Sequence, residues 1–121
     1  ELGVDVIKKE GKIEDYKTFF KELGEGVNNG DSVLIPVTLQ GQHETYSHIA
    51  IFDGIQEERE MEYILLRDPA LGCVKIDIDN SHLLFAIRKE DNEWVYDKKI
   101  TAEIIPKNQL ENENRNPNRS P

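Results

Sequence analysis

The sequence predicts an α+β domain: one N-terminal helix packed on an antiparallel, curled half-barrel sheet of five to seven strands. Two observations predict it. Ile13 to Asn28 is the one stretch whose apolar residues recur at helical spacing, and nearly everything from Ser32 to Ile105 reads as short β-rich runs separated by turn residues. A chain of 121 residues with 37% apolar composition holds one domain and one modest core. Residues 1–106 are that domain, and 107–121, rich in Asn and Pro with a single aliphatic residue, are expected to form a disordered tail.

Taken in order, Glu1 to Ile7 alternates in part (Leu2, Val4, Val6), as a short strand or an extended lead-in that Gly11 ends. Ile13, Tyr16, Phe19, Phe20, Leu23 and Val27 then fall on one helical face. Glu14 and Asp15 suit the positive end of the helix dipole, and Asn29-Gly30 suits a left-handed stop. Gly24 and Gly26 each cost roughly 1 kcal/mol relative to Ala, so a loose last turn or a stop at Gly24 is expected.

Ser32 to Leu39 is an apolar β run expected to be covered on both faces. Pro36 implies that one side lacks a partner, which puts this strand at the sheet border. Gln40 to Thr45 is a polar loop. Ile49–Ile55 and Glu62–Leu66 form a central hairpin whose tip carries Glu57, Glu58 and Glu60, read as a solvated loop rather than a cation site. Cys73 to Ile78 alternates as a half-buried strand. Leu83–Arg88 and Glu93–Tyr96 make a second hairpin with Trp94 packed on the sheet, and Thr101–Ile105 is the last strand.

Charge and composition remove several functions. A net charge of −9 without a Lys/Arg cluster to offset it argues against nucleic acid. No run reaches the roughly 18 apolar residues of a membrane span, and no basic start precedes an apolar stretch as in a signal peptide. One cysteine forms no internal disulfide, which favours a reducing, cytoplasmic setting over that of a secreted effector. A first residue that is not Met suggests a processed chain or a fragment, with functional residues upstream of Glu1.

The candidate site lies on the central hairpin, with His48 at the head of its first strand and Asp68 just past the tail of its second. The start of one antiparallel strand lies beside the end of its partner, so the two are expected to be neighbours. A carboxylate that accepts the Nδ1 proton of a histidine fixes its tautomer and leaves Nε2 to take a proton from a nucleophile. Pro69 and Gly72 turn the chain away after Asp68 and fix the carboxylate in place. A structural histidine beside an ordinary Asp-Pro turn is the alternative. A metal is not expected, because His43 and His48 lack the helical i, i+4 spacing, although a loop would be free to gather them with Asp68. No cofactor is implied. His82 reads as structural, and Cys73 as a buried or half-buried sheet cysteine rather than a nucleophile, since it does not open a helix.

The order helix, N-N-G-D-S-V-L-I-P-V, S-H-I-A-I-F-D-G-I, I-L-L-R-D-P-A-L-G resembles the C-terminal half of papain-like cysteine peptidases of the bacteriocin-leader-processing type, over roughly Ile13 to Arg88. Virulence-type papain-like proteases share a similar layout. The resemblance implies a thiol protease or related acyl-transfer enzyme acting on a peptide or protein, with His48 as general base and Asp68 as orienting acid. The family's nucleophilic cysteine and oxyanion-hole glutamine lie on an N-terminal half that nothing before Ile13 supplies. The catalytic dyad therefore belongs to an incomplete active site, to be completed from outside this chain. A non-catalytic module of the same fold that binds a peptide or protein is the other reading.

Overall fold

In the computed structural model, which describes residues 5–40, 45–69 and 72–107, the apolar stripe forms a 3-10 turn, Ile13–Asp15, continuing into α1, Tyr16–Asn28. Phe19, Phe20 and Leu23 turn inward and are buried, and the helix runs through Gly24 and Gly26 rather than stopping. Its end is a Schellman motif: Asp31 N–H donates to the Gly26 carbonyl and Gly30 N–H to that of Val27, with Gly30 at φ +102°.

The strands are β1 Ile7–Lys12, β2 Ser32–Gln40, β3 Thr45–Glu58, β4 Met61–Asp68, β5 Gly72–Asp77, β6 Ala86–Glu90, β7 Glu93–Tyr96 and β8 Lys99–Ile105. Six of them form an open antiparallel sheet in the order β1-β8-β2-β3-β4-β5, and β6-β7 stands apart as a two-stranded sheet. The predicted α+β class and strand number hold. The sheet does not close, since β1 and β5 are its two edges. The first four residues and the tail beyond residue 107 lie outside the described residues.

Several local expectations are corrected. Gly11 does not end the first strand but pairs with Ile100 inside it. A Cβ there would stand 2.8 Å from Phe19 Cδ1, so glycine is what lets α1 approach β1. β2 is interior rather than at the border, paired with β3 from Val33 to Gln40 and with β8 from Ser32 to Leu34. Pro36 sits just past the end of the β8 ladder, where its missing N–H costs no pairing. Nor is β2 covered on both faces: Val33, Ile35 and Val37 are buried while Pro36 is exposed. The segment Ile78–Phe85 is a 3-10 helix, so the predicted strand at Leu83 begins only at Ala86. Trp94 lies on the small hairpin, where Lys89 Nζ sits 5.5 Å from its ring centroid.

The core lies between the sheet and a layer made of α1 and the 3-10 segment. Phe20 is its centre, with its ring 5.6 Å from Phe52 and 5.8 Å from Phe85, and so ties helix, sheet and 3-10 segment together. Burying one such side chain is worth about 1.5–3 kcal/mol. No helix among the described residues is long and apolar enough to cross a membrane.

Candidate functional site

Strand alternation decides which side chains meet. In β3, Ala50 and Phe52 face the core, and in β4 Ile64 and Leu66 do. Two-residue periodicity places His48 and Asp68 on that same face at the rim of the core. The hairpin ladder runs to Ile51↔Arg67, and His48 lies just beyond it, within diagonal reach of Asp68. His48 Nδ1 stands 3.3 Å from Asp68 Oδ2. That is an ion-pair distance, longer than the usual 2.9–3.0 Å of an N–H···O bond. The Asp68 side chain is 3% exposed and that of His48 31%, so a sheltered carboxylate sits behind an imidazole that still reaches solvent. Gly72, at φ +78°, closes the turn that follows Asp68.

On the opposite face of the hairpin, a bulge between Phe52 and Gly54 turns Asp53 toward Arg67. The guanidinium donates through Nε at 2.7 Å and Nη2 at 3.0 Å. This fork braces β4 one residue before Asp68, and the hydrogen bonds to Asp53 hold the Arg67 pKa above its ordinary value.

A cleft of about 290 Å³ opens in the fork where β2 and β8 part, and His48 is on its wall. Thr38, Ser47, Lys99 and Thr101 add polar groups to it, and Leu84 and Phe85 supply apolar surface. None of these but His48 was singled out in the sequence, because the fork exists only once β8 has paired first with β1 and then with β2.

Cys73 is placed differently from expectation. It is exposed rather than half-buried, and its register opposite Arg67 puts it on the face away from His48 and Asp68. The sheet lies between thiol and imidazole. His43 lies outside the described residues, among which no group of three or more metal-ligating side chains converges. His82 lies between Tyr16, with ring centroids 5.1 Å apart, and Tyr96, 5.4 Å apart, in tilted ring contacts that join α1 to the small hairpin.

No family model, no curated protein and no solved structure matches this chain.

Proposed function

We infer that His48 and Asp68 are the base-bearing half of a cysteine-dependent acyl-transfer site of the papain-like type. In this reading His48 takes the proton of the nucleophile, Asp68 orients the ring, and the thiol comes from outside the described residues. The observation that carries it is the 3.3 Å approach of Nδ1 to a carboxylate that is itself shielded from water, with the rest of the imidazole facing a cleft. A base oriented through Nδ1 uses its Nε2 for proton transfer. The substrate is a peptide or protein, since an open strand fork beside the base suits an extended chain.

Acyl transfer through a thioester also needs a thiolate within reach of the imidazole and donors for the oxyanion. Cys73 provides neither, being on the other face. That same fact favours a second reading, a peptide-binding module without chemistry. The two are separated by expressing the reading frame that contains this chain and treating it with a thiol-directed peptidyl probe. The enzyme reading expects one cysteine outside residues 1–121 to be labelled, at a rate that drops at least a hundredfold in His48→Ala. Labelling that ignores His48, or its absence, overturns the enzyme reading and leaves the module.

A further inference from the structure

The chain carries 24 acidic residues against 15 Lys and Arg, and many described bases have a carboxylate partner: Lys9 with Glu22, Lys17 with Asp79, Lys21 with Glu62, Lys75 with Glu58. Lys8, Lys12, Arg59, Lys89, Lys98 and Lys99 have no such partner among the described residues, and of these Lys12, Lys98 and Lys99 are gathered at one end of the β1–β8 pair. Lys12 and Lys99 stand directly opposite each other in the β1–β8 register, an arrangement of like charges that works against the pairing. Lys98 is fixed beside them, its carbonyl accepting the Ile13 N–H at 3.0 Å. Two acids lie near, Asp97 on the cleft wall and Glu10 opposite Thr101, and neither engages these lysines in an ion pair.

Of the three, Lys99 lines the cleft that holds His48, with Lys12 directly across the β1–β8 ladder from it. Thr101 is on the cleft wall too, with Thr38 and Ser47 across the fork. The strands that frame it have open edges there. The ladder between β2 and β8 ends at Leu34↔Glu103, so neither Pro36–Thr38 nor Lys99–Thr101 has a ladder partner across the fork. Open strand edges receive extended chain, and a concentration of positive charge at one end selects what that chain carries. We propose that the Lys12–Lys99 end of the cleft is a subsite for an acidic side chain of an extended peptide whose backbone runs along the fork to His48. The proposal rests on the reading of the cleft as a peptide site and adds to it the charge of the residue accepted.

The test uses the intact chain and heptapeptides of alanine and serine, acetylated and amidated, with one glutamate at each position in turn and a glutamine twin for each. Binding is read from the amide shifts of Thr38, Ser47 and Thr101 at low salt. At least one glutamate peptide is expected to bind about five-fold tighter than its twin, the scale of an exposed ion pair. The preference should vanish in Lys12→Gln/Lys99→Gln and at about 0.5 M salt, and persist in Lys99→Arg. Removing the opposed lysines also relieves repulsion, so the double variant should fold, which its amide spectrum checks. Equal binding of the twins overturns the proposal. So does a glutamine peptide whose free C-terminal carboxylate restores full affinity, because the subsite would then read a chain end. If equal twins still move the cleft amides, the peptide reading survives without the charge preference, and the His48-dependent labelling judges the chemistry separately.

Discussion

His48 and Asp68 approach across the hairpin with Nδ1 3.3 Å from Oδ2, although neither is in the β3–β4 ladder. The contact is diagonal and between side chains, so if Asp68 orients the ring it does so through Nδ1. The neutral ring should carry its proton on Nδ1, visible in long-range proton–nitrogen correlation spectra. Asp68→Asn should move the proton to Nε2, because an amide that donates to the ring demands the other tautomer. Unchanged spectra would mean that Asp68 does not orient the ring.

Two glycines in the sheet should fail for different reasons. Gly11→Ala drives a methyl to 2.8 Å from Phe19 Cδ1 and should cost about 1–3 kcal/mol, the usual penalty for overpacking. Adding Phe19→Leu should recover part of that loss. Gly72→Ala meets nothing within 4 Å, so its cost, about 1–2 kcal/mol, is that of φ +78° alone, and Phe19→Leu should not offset it. Urea unfolding of the four variants measures both.

The tip of the central hairpin places Arg59 at φ 52° and Glu60 at φ 68°, a two-residue turn joining the pair Glu58↔Met61 with two side chains in the left-handed region. Asn-Gly is the pair such a turn prefers. Arg59→Asn/Glu60→Gly should therefore stabilise the chain by about 1 kcal/mol. Thermal unfolding should rise by about 3–5 °C, and a lower midpoint would mean that the turn chemistry is not limiting.

The helix, the central hairpin and the meeting of His48 with Asp68 were legible because each is local or nearly so. Three- and four-residue spacing fixes a helical face, and a short hairpin fixes which strand ends meet. What was not legible depends on contacts distant in sequence. Gly11 reads as a stop until Phe19 is seen to need its space. Pro36 reads as an edge signal, and it does mark an open side, but one created by β8 leaving β2 rather than by a sheet border. Leu83 to Phe85 have strand composition yet coil as 3-10 helix, with Leu84 and Phe85 turned into the core on the same side as Phe20. Cys73 shares its alternate set with Lys75 and Asp77, the charged side of the strand, and the pairing with Arg67 places that side away from the core.

The position of Cys73 gives the last prediction. The thiol is exposed and stands opposite Arg67 on one face of β5, while His48 and Asp68 occupy the other. An exposed thiol is accessible to alkylation in the native state, so iodoacetamide should modify Cys73 fully without denaturant. Activation as a nucleophile is a separate matter, since it requires a base within hydrogen-bond reach of the sulfur. The sheet backbone stands between sulfur and imidazole, so His48→Ala and Asp68→Asn should leave the labelling rate within about two-fold of the parent, well short of the 10²–10⁴ that a lost general base costs. Arg67→Ala, which removes the cation across the strand, should slow the reaction more than either, because a neighbouring positive charge favours the thiolate. A rate that collapsed in His48→Ala would place the nucleophile within this chain and remove the need for an outside cysteine.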